Sequence, residues 1–125
     1  MLINLSNHPS EKWDSEQLEA AKSKYSSVID LPFPYIDPNA EEKEVSELAG
    51  EYVEKCLAIL KFARNGGNAV HIMGEANFCF TVVGKLLEKR VKCVASTTER
   101  VVEDVEGGEK VSRFKFVRFR EYGVG

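Results

Sequence analysis

The chain has 125 residues, 43% of them hydrophobic and 30% charged, which is typical of one globular domain rather than several. Its net charge of −3 argues against a DNA-binding surface over the whole protein, and no apolar run approaches the ~20 residues of a membrane span. The start at Met1 lacks the basic and apolar regions of a signal peptide. We therefore expect a single cytoplasmic domain over residues 1–125, with no membrane partner.

The charge is distributed unevenly along the chain. Residues 1–60 carry 12 acidic and 5 basic side chains, whereas residues 61–125 carry 8 acidic and 12 basic ones. The basic surplus is highest over residues 110–120, which contain no acid. This distribution is compatible with a local anion-binding site in the second half of the chain.

The three cysteines, Cys56, Cys79 and Cys93, form no CxxC pair and have no histidine cluster nearby. Each has apolar neighbours, a setting in which cysteine usually behaves as a small hydrophobic residue. We expect buried thiols, with neither a disulfide framework nor a zinc site. No set of Asp, Glu and His at ligand spacing indicates a catalytic metal either.

The chain begins with a predicted strand and helix. The apolar run at residues 2–5 predicts a buried strand, which ends in the polar loop Ser6-Asn7-His8-Pro9-Ser10. Asp14 stands three residues before Gln17, as in a capping box, and this spacing predicts a helix over about 14–25.

A second strand is predicted at residues 28–31, before a segment with three of the four prolines. Asn39 with Glu42 is predicted to cap the next helix, whose apolar stripe ends at Leu60. This helix is expected to stop at Arg64-Asn65-Gly66-Gly67.

The second half predicts a third strand at residues 69–73, a turn at Gly74-Glu75, and a third helix with apolar residues between Phe78 and Leu87. A fourth strand is predicted at residues 92–95, followed by a loop, Ser96-Thr97-Thr98-Glu99-Arg100. The pattern then changes to a β-hairpin, with a turn at 106–109 and a final strand up to Tyr122. Apolar and charged residues alternate in that strand, but the alternation slips at Phe116-Val117, which predicts a bulge.

Alternating strands and helices followed by a hairpin predict an α/β fold: a mostly parallel sheet with an antiparallel extension. The parallel strands are apolar throughout, so helices are expected on both faces. Ligands of open α/β sheets bind beyond the carboxyl ends of the strands, which here are followed by Ser6-Asn7-His8, Gly74-Glu75-Ala76-Asn77 and residues 96–100. Hydroxyls, amides, an imidazole and a guanidinium in these segments suit a phosphate-bearing ligand.

Two common nucleotide signatures are missing. The loop after the first strand has no glycine, and no Walker lysine motif is present. NAD and ATP are therefore disfavoured, and no cofactor is expected. Ser96, Thr97, Thr98 and Arg100 favour a phosphate cradle, although Ser and Thr also form plain turns.

Each titratable candidate has an alternative reading. His8 fits either proton transfer or a loop histidine that bonds to nearby backbone. His71, inside an apolar strand, is expected to be a satisfied core histidine. Glu75 fits a first-turn carboxylate favoured by the helix dipole. The basic residues of the last strand fit a solvated edge, with an anion-facing role as the alternative.

Four segments together resemble small stand-alone CRISPR-associated proteins that accompany type III systems. They are the opening strand with Ser6-Asn7-His8-Pro9, then Asp30-Leu31-Pro32-Phe33-Pro34, Val70-His71-Ile72-Met73-Gly74-Glu75, and Ser96-Thr97-Thr98-Glu99-Arg100. These proteins have CARF-like Rossmannoid folds. The resemblance implies a Rossmann-like fold that binds a cyclic oligoadenylate second messenger of antiviral defence across a two-fold homodimer.

Some such proteins are ring nucleases, so the resemblance also implies metal-independent cleavage in which a ribose 2′-OH attacks its adjacent phosphate. Under this reading His8 would transfer a proton and Arg100 would neutralise developing charge. The ligand-binding residues would be Ser6, Asn7, Gly74, Glu75, Asn77, Ser96, Thr97 and Thr98. A non-catalytic sensor or sink of the same ligand, and a regulatory partner whose charged hairpin docks another protein, are the alternatives.

Overall fold

The computed structural model describes residues 1–63 and 66–123. Its strands are β1 (Leu2–Ser6), β2 (Val28–Asp30), β3 (Ala69–Met73), β4 (Lys92–Asp104) and β5 (Lys110–Glu121). Its α-helices are α1 (Ser15–Tyr25), α2 (Glu42–Leu60) and α3 (Ala76–Glu88), and a short 3-10 helix, Ser10–Lys12, precedes α1.

The strands form one sheet of five in the order β2-β1-β3-β4-β5. The first four run parallel, and β5 pairs antiparallel with β4. The prediction of an α/β chain with a mostly parallel sheet and a C-terminal hairpin is confirmed. Because β2 lies on one side of β1 and β3 on the other, the direction of winding reverses between β1 and β3. Such a reversal leaves a crevice at the carboxyl ends of the strands.

Helices cover both faces of the sheet. Alternate residues of a strand point to opposite faces, so Ile3 of β1 packs in the cluster formed with α2 and α3, whereas Leu2 packs in the cluster formed with α1. Phe116 and Phe119 of β5 extend the α1 cluster. The polar residues at the bottom of the crevice lie on this second face of the sheet.

The cysteine prediction is confirmed, because Cys56, Cys79 and Cys93 are all free and buried. Burial raises the pKa of Cys56 to about 12, of Cys79 to about 11 and of Cys93 to about 12. Thiols with such pKa values remain protonated at neutral pH and are poor nucleophiles.

Residues 96–100 do not form a loop, and that prediction is wrong. β4 continues for 13 residues, pairing with β3 through Lys92, Cys93 and Val94 and with β5 from Val94 to Asp104. The returning β5 provides hydrogen-bond partners that keep the segment extended. The bulge prediction is confirmed, because Thr97 pairs with Arg118 and Thr98 with Phe116, which leaves Val117 as the extra residue.

The starts of α1 and α2 and the end of α2 can be compared with the predictions. One prediction is confirmed, one is wrong, and one falls partly outside the described residues. Asp14 caps α1 by accepting a hydrogen bond of 2.8 Å from the Gln17 backbone N–H, as predicted. Asn39 does not cap α2, which has Glu41 at its N-cap; the Asn39 N–H instead donates to Asp37 Oδ1. The helix ends at Leu60, before the predicted stop, of which Arg64 and Asn65 lie outside the described residues.

Gly74, which ends β3, should not tolerate a side chain. A Cβ atom there would overlap the Phe33 ring, and Phe33 packs edge-to-face on buried Phe78 with ring centroids 5.1 Å apart. We expect Gly74→Ala to lower the free energy of unfolding by about 1–3 kcal/mol. Gly84→Ala, inside α3 with no atom within 4 Å of the added Cβ, should raise it by about 0.5–1 kcal/mol. Urea unfolding of both variants tests this, and equal effects would contradict it.

Candidate functional site

A cleft of about 400 Å³ opens at the carboxyl ends of β1 and β3, where the winding reverses. Ser6, Asn7 and His8 line it from the end of β1, and His71 and Met73 from β3. The segment before and within α1 contributes Lys12, Asp14 and Gln17, and the hairpin contributes Ser96, Thr98, Phe114 and Phe116. The cleft therefore combines hydroxyls, the amine of Lys12, two imidazoles, the carboxylate of Asp14 and an aromatic wall.

The amide of Asn4 organises the floor of this cleft. Its nitrogen donates to Asp30 Oδ1 at 2.8 Å and to the His8 carbonyl at 3.0 Å. Its oxygen accepts from Ser6 Oγ at 2.7 Å. Asp30 and the His8 carbonyl can only accept hydrogen bonds, so the amide nitrogen must face them and the amide oxygen must face the opposite way.

This orientation determines the tautomer of His71. Its Nδ1 lies 2.9 Å from Asn4 Oδ1, an acceptor, so Nδ1 holds the hydrogen and donates it. Burial, and to a lesser degree the neighbouring His8, lowers the pKa of His71 to about 4. The ring is therefore neutral at physiological pH, and its other nitrogen, Nε2, has a free lone pair.

That lone pair faces Ser96. The distance from His71 Nε2 to Ser96 Oγ is 3.2 Å, and the hydroxyl also lies 3.0 Å from the sulfur of Met73. Imidazole nitrogen is a stronger acceptor than a thioether, so the hydroxyl hydrogen favours His71. Trp13 and Phe119 hold the imidazole edge-to-face, with ring centroids at 5.3 and 5.6 Å.

Asp30 is exposed in a neighbouring cavity on the β2 side, where several donors surround its carboxylate. Its carboxylate accepts from Ser10 Oγ at 2.6 Å and from the Ser10 backbone N–H at 3.1 Å, besides the Asn4 amide. Burial of its inner part raises the pKa of Asp30, but these hydrogen bonds outweigh that effect and keep the pKa below its ordinary value. Asp30 is therefore ionised at neutral pH and acts only as an acceptor.

The structure brings together five of the predicted site residues. Ser6, Asn7, His8, Ser96 and Thr98 all line the cleft. The His8 carbonyl also accepts from Trp13 Nε1 at 3.0 Å, so His8 helps to build the floor through its backbone and faces the cleft through its side chain.

Five others lie outside the cleft. Glu75 caps α3 by accepting from the Phe78 N–H at 2.7 Å, the main cause of its lowered pKa, and Asn77 donates to its other oxygen. Gly74 lines a separate cavity on the α3 side. Thr97 Oγ1 donates to the Arg118 carbonyl, and Arg100 Nε donates to Ser112 Oγ at 2.6 Å.

Arg100 nevertheless shares a face of the hairpin with the cleft. Side chains two residues apart on a strand point the same way, so Arg100 follows Thr98 along the wall. Its direct cross-strand partner is Phe114, whose ring is 73% exposed beside the cleft. A ligand that extends out of the cleft along this wall would meet both side chains.

Asn4, Asp30, Lys12 and Phe114 did not emerge from the sequence as site residues, and His71 was assigned to the core alone. A signal for two of them was present. Asn4 and His71 are the lone polar residues within the apolar stretches Leu2–Leu5 and Ala69–Met73, and they are direct partners in the β1–β3 register. Polar groups at matching depths in adjacent buried strands indicate a shared hydrogen bond.

Neither a membrane segment nor a metal site is evident in the part of the chain that the structure describes. None of its helices combines the length and the apolar character needed to traverse a bilayer. Across residues 1–63 and 66–123, no group of three or more His, Cys, Asp or Glu side chains is placed to hold a metal ion.

Residues 1–120 match the family model described as the uncharacterized protein MJ1673 family. No curated protein and no solved structure matches the chain.

The buried imidazole should make stability depend on pH. His71 titrates near pH 6.5 when unfolded and near pH 4 when folded, so protonation favours the unfolded chain. Its contribution is complete above pH 6.5 and is lost as the pH falls towards 4, a total of about 3 kcal/mol. We expect His71→Gln to remove this part of the pH dependence. Urea unfolding of both proteins between pH 7 and pH 4 tests it, and parallel curves would contradict it.

Proposed function

The chain belongs to the uncharacterized protein MJ1673 family, and we propose that its cleft binds a cyclic oligoadenylate and cleaves the ring without a metal ion. The observation that carries this proposal is the exposed Phe114 ring beside a cleft with hydroxyl and basic side chains. An exposed aromatic ring is a stacking platform for a nucleobase, and hydroxyls and cations suit the ribose and phosphate attached to it.

The strand order supports the choice of ligand class. The order 2-1-3-4-5 with a reversal beside β1 is that of doubly wound, Rossmann-like sheets, which bind nucleotides at the reversal. We propose a CARF-like version of this fold, in which the C-terminal hairpin replaces the further strand–helix units and forms one wall of the site.

The size of the cleft favours a dimer. About 400 Å³ accommodates a group the size of one nucleotide, whereas a ring of several nucleotides needs more space. Two clefts related by a two-fold axis would hold opposite nucleotides of a symmetric ring. We therefore propose a homodimer as the binding unit.

The proposed reaction is an internal transesterification. The ribose 2′-oxygen forms a bond to the adjacent phosphorus, and the bond from phosphorus to the 5′-oxygen breaks, leaving a 2′,3′-cyclic phosphate and a 5′-OH. Lys12 would neutralise charge on the phosphorane, and Arg100 would reach the neighbouring phosphate from the hairpin. His8, exposed at the cleft, would donate the proton to the leaving 5′-oxygen.

Incubation with cyclic tetra-adenylate or cyclic hexa-adenylate in EDTA tests the function. We expect linear products with a 2′,3′-cyclic phosphate, because the attacking group belongs to the ligand and the stabilising groups belong to the protein. Mass spectrometry of the products identifies the ends. A ring that is bound but intact would indicate a sensor or sink, and no binding of either ring would contradict both.

The hairpin wall should contribute to affinity. Phe114→Ala removes a stacking partner worth about 1–3 kcal/mol, which corresponds to a rise in Kd of roughly 5- to 150-fold. Arg100→Ala should raise Kd by a similar factor. Phe62→Ala, an exposed ring after α2, and Arg113→Ala, which pairs with Glu103, are the matched controls and should leave Kd unchanged. Calorimetry measures all four, and equal losses in variants and controls would contradict the assignment.

A further inference from the structure

A hydroxyl, an imidazole and an amide follow one another in the floor of the cleft. Ser96 Oγ lies 3.2 Å from His71 Nε2, and His71 Nδ1 lies 2.9 Å from Asn4 Oδ1. An activated hydroxyl in enzymes has this arrangement: a base within hydrogen-bond reach, which is itself oriented by a third group.

The partners of the Asn4 amide determine which group donates in each hydrogen bond of this series. The Asn4 amide nitrogen donates to Asp30 and to the His8 carbonyl, so the amide oxygen accepts from His71 Nδ1. His71 Nε2 therefore has no hydrogen and accepts from Ser96. A reversed series would place the Asn4 oxygen against two acceptors, which is unfavourable.

The imidazole borders the cleft but is almost completely covered. His71 is 1% exposed and is held between Trp13 and Phe119, whereas Ser96 is half-buried and lines the cleft. Ser96 Oγ lies 3.2 Å from Nε2, so this hydroxyl is placed to pass a proton from a ligand in the cleft to His71.

We propose that Ser96 is an activated hydroxyl and that, if the proposed function holds, it removes the proton from the ribose 2′-OH. The 2′-proton moves to Ser96 Oγ as the Ser96 proton moves to His71 Nε2. The new bond from the 2′-oxygen to phosphorus forms while the bond to the 5′-oxygen breaks, and His8 protonates the leaving oxygen. His71 then returns its proton through Ser96 to water, and His8 regains a proton from water, so that both residues are restored.

Burial disfavours the imidazolium that forms during this transfer, so the charged ring is short-lived, and the hydrogen bonds of Asn4 offset part of its cost. The Nδ1–H of the ring continues to donate to Asn4 Oδ1, and the ionised Asp30 polarises the Asn4 amide from the other side. Asn4 and Asp30 are therefore positioning residues that act through His71.

Reaction with phenylmethanesulfonyl fluoride tests whether the Ser96 hydroxyl is activated, and this test needs no nucleotide. Ser96 Oγ attacks the sulfonyl sulfur, the S–F bond breaks, fluoride leaves, and the Ser96 proton moves to His71. We expect Ser96 to be modified roughly 100-fold faster than exposed Ser23, because general-base assistance contributes at least that factor. Intact mass and peptide mapping measure both rates in the full chain.

Two variants separate positioning from folding. Asn4→Leu removes the acceptor that orients His71 and should slow modification of Ser96 by roughly 100-fold. Asp30→Ala, at an exposed position, removes one of the two acceptors that orient the Asn4 amide and should also slow it, so it serves where Asn4→Leu unfolds. Unchanged rates in a folded Asp30→Ala protein would overturn the relay.

The ring-cleavage assay uses a matched pair at Ser96. Thr and Val have the same shape and differ in the hydroxyl, so Ser96→Thr should keep measurable cleavage that Ser96→Val loses. Equal cleavage by the two variants, or modification of Ser96 no faster than that of Ser23, would overturn the proposal even if the ring is cut. Fast modification of Ser96 without ring cleavage would support the relay and contradict the proposed function.

Discussion

The polar floor of the cleft depends on one hydrogen bond, from the Asn4 amide to the Asp30 carboxylate. Asn4 is 1% exposed, so its amide must find partners within the protein. Asp30 accepts from its nitrogen at 2.8 Å, and the amide oxygen is thereby presented to Ser6 and His71. Without this anchor the His8 carbonyl would be left to orient the amide, and the tautomer of the histidine beside it would be less firmly determined.

The parallel pairing of β1 with its two neighbours makes this arrangement possible. Asn4 is the direct partner of Asp30 in β2 and of His71 in β3. Three polar side chains from segments far apart in the sequence therefore lie in one row across the sheet. The apolar residues on either side exclude water from Asn4 and His71, which strengthens the hydrogen bonds between them.

Much of the fold could be predicted from local sequence. Apolar runs and helical periodicity identified three helices and every strand except the middle of β4, Asp14 was recognised as a cap, and the slip at Phe116-Val117 revealed the bulge. Residues 96–100 were misread because their extended conformation comes from pairing with β5, which a local pattern does not contain. The sequence indicated part of the site, because several of its hydroxyl residues follow predicted strands. It did not indicate the hydrogen bond from His71 to Asn4, because these residues are 67 positions apart.

Because β4 extends well beyond its pairing with β3, two structurally different parts of the sheet border the cleft. Its floor belongs to strands with neighbours on both sides, whereas beyond Val94 the strand pairs only with β5, as a two-stranded ribbon. Such ribbons are marginally stable by themselves and open locally at a lower free energy than a packed sheet. The cleft thus has a rigid base, which holds Asn4 and His71, and a more pliable wall, which carries Phe114 and Arg100 and can adjust to the outline of what enters. Ser96 lies where the base and the wall meet, at the start of the ribbon.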